Sequence, residues 1–296
     1  MNIEYINQDV EYIGRAPSNP ATMLKQLESF GRLCWKSEPK EDSNSLKFVK
    51  TLISRGHTSV LEHSNITLLL GKLNGQSNLP LTDIWPRFFH IDVINQNLYL
   101  SGSLRSWLEH HIEIDKWLNP SLCIITQSLH NYIPEIFEDP PSLFKYFYTP
   151  IVEDEQTGNQ PIYIFKMTVD RGISHEIVRH RTLQFTQEST RYVNYMNHPI
   201  RIIIDSGTQM SSTLRYAVDE ALARYEQLLH VDVKPEIARD VLPHCIATDM
   251  IVSGRLSAWK HFYKLRYGKG AHPRIREVAF RVNESFLQNE DIDLYE

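Results

Sequence analysis

Cysteine is scarce in this chain. There are three, Cys34, Cys123 and Cys245, far apart and none in a CxxC pair, so they read as buried thiols rather than a disulfide framework or a zinc site. Long apolar runs are missing too. Nothing approaches the roughly 20 residues that cross a bilayer, and the start MNIEYINQDV has no basic segment leading into an apolar one. The expected location is the cytoplasm, with no membrane partner. Positive charge is not in excess: 31 Lys and Arg stand against 36 Asp and Glu, a formal net charge of -5. That argues against nucleic acid as a partner, while a concentrated basic pocket for a phosphorylated small molecule remains open. Neither GxGxxG nor GxxxxGK[ST] occurs, which removes the usual dinucleotide and P-loop sites. HExxH and GxSxG are also absent, and His57, His63, His175 and His180 do not fall at zinc-ligand spacing, so no metal is expected.

What is present is a globular composition, 42% hydrophobic and 23% charged. Apolar residues at helical spacing mark ATMLKQLESFGRLCWKS and SLKFVKTLISRGH, the second stopped by Gly56. SNITLLLGKL and PIYIFKMTVDRG are rich in β-branched and aromatic residues and read as strands. Between them, residues from about 73 to 160 are irregular and rich in proline, and are taken as an insertion with short helices of its own. SHEIVRHR reads as a helix capped by Ser174, with His175 and Arg179 on one face and Glu176 and His180 on the next. IRIIID is a strand, SSTLRYAVDEALARYEQLLH an amphipathic helix, and the segment from Lys234 to Arg266 is expected to be mostly helical around Pro243. The class is α+β. LSGSLRSW at 100–107 echoes VSGRLSAW at 252–259, too short to mark a repeat fold and explained by chance or by a shared local turn.

The stretch EIVRHRTLQFTQESTRYVNY concentrates Arg179, His180, Arg181 and Arg191 beside Ser189 and Thr190. A guanidinium fork binds phosphate oxygens or a pyrimidine carbonyl in pairs, and Ser189 with backbone N–H groups can complete a phosphate cradle. A salt-bridged surface helix, with Glu176 and Glu188 as partners, fits the same spacing.

Arg179-His180-Arg181, seven residues, then Ser189 is the RHRx7S signature, and by it the chain resembles the flavin-dependent thymidylate synthases. RGHTSVLEHSNIT at 55–67 and ARDVLPHCIATDMIVSGRLSAWKHFYKLRYGKGAHPRIREVA at 238–279 follow the same family in order, with GRLCWKS near the start. The resemblance implies one mixed α/β domain over residues 1–296 with a family-atypical insertion at about 73–160. It implies a homotetramer with active sites shared between subunits, FAD as cofactor, and NADPH and methylenetetrahydrofolate as co-substrates for converting dUMP to dTMP. Arg266 matches the catalytic arginine that favours the ionised pyrimidine N3. By the same resemblance dUMP falls to Glu176, Arg179, Gln187, Glu188, Ser189, Thr190, Arg191, Arg239 and Arg266. FAD falls to His57, Ser59, Glu62, Arg179, His180, Arg181, Gln187 and His261. The chain departs from the family pattern GNLRxW, carrying Arg255 and Ser257 instead, while Arg105 in the insertion keeps an arginine in its own GSLRSW. A flavin-dependent dUMP hydroxymethylase and a catalytically inactive nucleotide-binding homologue are the alternative readings.

Overall fold

The computed structural model describes residues 2–39, 44–72, 89–118, 124–138, 161–204 and 211–295. Chain contacts divide into two compact units. One comprises Met1–Gly14, Ser29–Glu41 and Tyr163–Glu296; the other comprises Arg15–Glu28 and Asp42–Ile162.

The chain begins with β1 (Ile3–Ile6), β2 (Asp9–Arg15), α1 (Pro20–Leu33) and α2 (Ser45–Ser54). Asn44 caps α2 by accepting from Lys47 N, and Gly56 at φ +71 ends it, as a residue without Cβ can. A 3-10 turn (Thr58–His63) leads to β3 (Ile66–Lys72), then β4 (Phe89–Ile94), β5 (Asn97–Gly102), α3 (Leu104–Leu118) and α4 (Ile124–Tyr132). In this second unit the strands form an antiparallel sheet ordered β3-β5-β4. The described part of the insertion therefore holds a β-hairpin as well as the expected helices. Asn95 and Gln96 turn the hairpin at φ 51 and 67, the left-handed pair that matches strand twist. Cys123 lies outside the described residues.

The first unit continues with β6 (Ile162–Asp170), α5 (Arg171–Ile177), β7 (Gln184–Gln187), β8 (Ile200–Ile203), α6 (Ser212–His230) and α7 (Pro235–Ala238). A 3-10 turn (Arg239–Val241), β9 (Ala247–Arg255), α8 (Leu256–Arg266) and α9 (Pro273–Glu290) complete it. Its main sheet is ordered β2-β6-β9-β7. β7 runs antiparallel to β9, pairing Gln184 with Ser253 and Gln187 with Met250. Phe165, Met167 and Val169 of β6 pack with Trp259 and Phe262 of α8 and with Val278, Val282 and Phe286 of α9. Ring centroids of Phe165 and Trp259 lie 4.8 Å apart at 61°, an edge-on arrangement that adds to simple burial. A smaller parallel pair, β1 with β8, shares a core with Tyr195 and with Val218, Leu222 and Tyr225 of α6.

Two expectations are corrected. The segment around Pro243 is not mostly helical: Ala247–Arg255 is a nine-residue strand buried along almost its whole length, so its sequence, ATDMIVSGR, lacks the apolar–polar alternation of a half-buried strand. Ser174 is not an N-cap either. Asp170 caps α5, its Oδ1 accepting from Ile173 N at 2.7 Å, and Ser174 sits inside the helix with its hydroxyl donating to Arg171 O at 2.9 Å.

The echo between residues 100–107 and 252–259 marks the same device twice, a strand running into a helix. Trp107 and Trp259 are both fully buried, and their indole N–H groups donate to Ile66 O at 3.0 Å and Tyr163 O at 3.3 Å. A Cβ on Gly102 would come within 2.6 Å of the Phe89 ring, and one on Gly254 within 2.5 Å of Leu183, so each glycine lets its strand approach a neighbouring side chain.

Candidate functional site

α5 stops at Ile177, with Val178 as its C-cap, so the Arg-His-Arg triplet leaves the helix and turns. The shared helical faces expected for His175 with Arg179 and Glu176 with His180 therefore do not arise. The turn is fixed by His180 N donating to Ile177 O at 3.1 Å and Leu183 N to His180 O at 2.9 Å. It sends alternate side chains opposite ways: Arg179 and Arg181 are exposed and His180 is buried. No ion pair engages Arg179 or Arg181 among the described residues.

His180 meets α8. Its ring lies edge-on to Phe262, centroids 4.9 Å apart, and 6.2 Å from that of His261. Arg266 Nε donates to His180 Nε2 at 2.8 Å, Nη1 pairs with Glu176 Oε2 at 2.9 Å, and Nη2 donates to Glu176 O at 3.1 Å. A guanidinium has five N–H donors, and these contacts use three. Because Nε2 accepts, the imidazole proton sits on Nδ1. Burial first, then the charges of Arg266 and His261, lower the His180 pKa to about 4, so the ring is neutral near pH 7.

A second cluster lies along β7 and the loop after it. Gln187 Nε2 donates to Ser174 Oγ at 2.9 Å and Thr248 Oγ1 at 3.2 Å. Arg239 donates to Thr190 Oγ1 at 3.4 Å, and Arg171 to Thr248 Oγ1 at 3.5 Å. The Arg171 pKa is lowered, chiefly by burial, with Arg239 adding to the effect against the opposing pull of Tyr195 and Glu188. Arg171 and Arg239 feel each other's charge, and neither has a carboxylate in contact among the described residues, an arrangement that suits an anion. Sequence reasoning missed Arg171. Its signal was position, at the first residue of a helix that follows a buried strand.

The cradle around Ser189 is narrower than expected. The backbone N–H of Ser189 is taken by Cys34 O at 3.0 Å, and the N–H of Arg191 donates to Ser189 Oγ at 3.3 Å. The Arg191 guanidinium is exposed and lies 5.2 Å from the Tyr192 ring centroid. Glu188 points inward: Tyr195 Oη donates to it at 2.7 Å, and Lys36 and Arg201 pair with it at 3.2 and 3.4 Å. Arg201 also pairs with Asp249 at 2.8 Å. Burial would raise the Asp249 pKa, but the hydrogen bond and charge of Arg201 outweigh it and the net shift is downward.

Cys34 and Cys245 are free. Burial pushes the Cys34 thiol up to about 11 and raises Cys245 as well, so neither is a thiolate at neutral pH. In the other unit, His57 precedes the 3-10 turn that carries Ser59 and Glu62. Glu62 is ion-paired with Arg105 at 2.5 Å, and Arg105 also holds Glu109 at 2.8 Å. Arg105 is thus neutralised by two carboxylates. Arg255 is the last residue of β9 and the N-cap residue of α8.

Residues 145–289 match the family model described as thymidylate synthase complementing protein. Flavin-dependent thymidylate synthases are similar to this chain: that of Pyrococcus furiosus is 31% identical over 128 residues, 41% of this chain and 52% of that one. That of Corynebacterium glutamicum is 30% identical over 139 residues, covering 41% and 55%. The chain spans about half the length of the curated relatives it matches. A solved flavin-dependent thymidylate synthase from Helicobacter pylori, complexed with FAD and dUMP, aligns over 42% of this chain and 67% of that one at 19% identity and a TM-score of 0.37. Over residues 145–289 the chain is thus similar to that family model, and over 41% of its length to these flavin-dependent thymidylate synthases.

Proposed function

We propose that the chain is a cytoplasmic FAD-dependent thymidylate synthase that converts dUMP to dTMP, taking the one-carbon unit from methylenetetrahydrofolate and reducing equivalents from NADPH, in a homotetramer with active sites shared between subunits. The observation that carries this reading is the joining of Arg266 to His180 and Glu176. Arg266 and the signature are far apart in sequence, and the fold brings them to hydrogen-bonding distance within the segment that matches the family.

In this reading Arg266 turns its two remaining N–H donors to the pyrimidine and favours the form ionised at N3. Glu176 and His180 hold the guanidinium plane, so little reorganisation accompanies the reaction, and such preorganised donors contribute about 3–4 kcal/mol in comparable sites. His180 serves as a neutral acceptor because its lowered pKa keeps a second positive charge away from Arg266. The nucleotide phosphate falls to Arg239, Arg171, Ser189 and Arg191, with Gln187 and Thr190 placing the loop, and Glu188 acts through the loop it anchors. The exposed, unpaired guanidiniums of Arg179 and Arg181 fit the diphosphate of FAD. Ser59, His261, His57 and Glu62 are the other flavin residues of this reading. FAD, when bound and reduced, supplies hydride chemistry that no side chain offers.

The test is tritium release from 5-labelled dUMP with and without NADPH, methylenetetrahydrofolate and FAD. Release that requires all of them is expected. Nucleotide binding without release would overturn the reading in favour of an inactive homologue, to which the Arg255 and Ser257 departures point. A product heavier by a hydroxymethyl rather than a methyl group would identify the hydroxymethylase instead.

A further inference from the structure

α1 ends on an unusual residue. Lys36 stands at φ +48, the left-handed conformation that follows many helices and that glycine adopts without a Cβ penalty. Two bonds hold it there: Lys36 N donates to Leu33 O at 3.3 Å and Ser37 N to Arg32 O at 3.2 Å. A long side chain kept at such a position points to a use for it. The block GRLCWKS, to which it belongs, contains none of the residues assigned above to nucleotide or flavin.

The turn meets the loop after β7 at three successive residues, all within one compact unit. Cys34 O takes the backbone N–H of Ser189 at 3.0 Å. Because Ser189 Oγ accepts from Arg191 N at 3.3 Å, the hydroxyl keeps its own hydrogen to donate. The Trp35 ring lies against Tyr192, centroids 5.9 Å apart at 37°, and the Tyr192 ring in turn meets the Arg191 guanidinium at 5.2 Å. Lys36 Nζ reaches Glu188 Oε1 at 3.2 Å and sits 5.4 Å from the centroid of the Tyr195 ring. The Glu188 side chain is fully buried and that of Lys36 is 18% exposed, so solvent ions screen the pair little. One turn thus fixes both groups that the loop offers to an anion, Ser189 through its backbone and Arg191 through two rings in contact.

We propose that Cys34–Lys36 is a clamp for the loop that binds the nucleotide phosphate, with Lys36 and Trp35 as positioning residues. Neither touches the substrate. They hold Ser189 and Arg191 where one phosphate monoester meets both, so their loss is felt in the phosphate part of binding and not in the chemical step. The inference rests on the reading of Ser189 and Arg191 as phosphate ligands.

The experiment titrates the full-length chain, supplied with FAD, by calorimetry with dUMP and separately with deoxyuridine, and follows dUMP-dependent tritium release. Lys36→Met is expected to weaken dUMP binding about tenfold and to raise KM by a similar factor, with deoxyuridine affinity and kcat within about twofold of wild type. Lys36→Arg keeps the charge and restores dUMP binding to within about threefold of wild type. Trp35→Leu weakens dUMP about threefold by loosening the support of Arg191. Should Lys36→Met fail the circular-dichroism control, Lys36→Gln replaces it, and Trp35→Leu carries the same comparison. If wild type prefers dUMP to deoxyuridine and the Lys36 and Trp35 variants keep that preference, or weaken both ligands alike, the clamp alone is overturned. If wild type shows no preference for dUMP, the phosphate reading falls and the clamp falls with it.

Discussion

Glu188 and Arg181 belong to the same short charged stretch, yet the fold treats their surroundings in opposite ways. Around Glu188, charge is spent internally: a buried carboxylate meets Lys36, Arg201 and the Tyr195 hydroxyl, and Asp249 completes the neutralisation of Arg201. Around Arg179 and Arg181, and around Arg171 and Arg239, guanidiniums stand without a carboxylate in contact among the described residues. The first cluster fixes the loop that carries Ser189 and Thr190. The second has no such internal partner among the described residues, and in the proposed reading it is what meets an anion. Charge density along a sequence is therefore no guide to function until the partners are counted, since only an uncompensated cation retains Coulomb energy for a ligand.

The largest expected break in this contrast is on the internal side. Glu188→Ala strands Lys36 and Arg201 and should lower unfolding free energy by about 3–5 kcal/mol in urea titration; a loss below 1 kcal/mol would mean that the cluster is not structural. Next comes Arg266→Ala, expected to cut dUMP-dependent tritium release by about 10²–10³-fold with the fold intact. Acid should act on stability through the histidines. His180 and His63 have folded-state values lowered to about 4 and about 3, mainly by burial, from 6.5. The unfolded chain then binds protons that the folded chain refuses, so stability is fully present above about pH 6.5 and falls as pH drops towards 4. Roughly 2 kcal/mol per histidine is lost by pH 5, and His180→Gln should remove its own share of the difference between urea midpoints at pH 7 and 5. Arg171→Ala should weaken phosphate-dependent dUMP binding about tenfold, with deoxyuridine binding unchanged. The smallest effect is the sharpest control: Arg179→Ala with Arg181→Ala should leave stability within about 0.5 kcal/mol of wild type while lowering FAD affinity.

Periodicity located α1, α2, β3, β6, β8 and α6 because each shows one clear pattern, amphipathic or β-rich. β9 escaped because its burial on both faces leaves no alternation, and the hairpin Phe89–Gly102 because its surroundings look irregular in composition. The helix ending before Arg179 was hidden for a different reason. Asp170, four residues before Ser174, is the better cap, and a capped start shifts the whole helix towards the N-terminus.

The sequence by itself determined which residue types are available for chemistry: an arginine-rich signature, a later arginine in YKLRYGKG, and no cysteine motif. Those are chemical facts carried by short, local spacing. Only the tertiary structure decided which of them meet. It placed Arg266 on His180 and Glu176 and turned Glu188 inward. The physical reason is that a hydrogen bond or ion pair depends on a few ångströms of separation, and for residues distant in the chain that separation is set by how strands and helices pack.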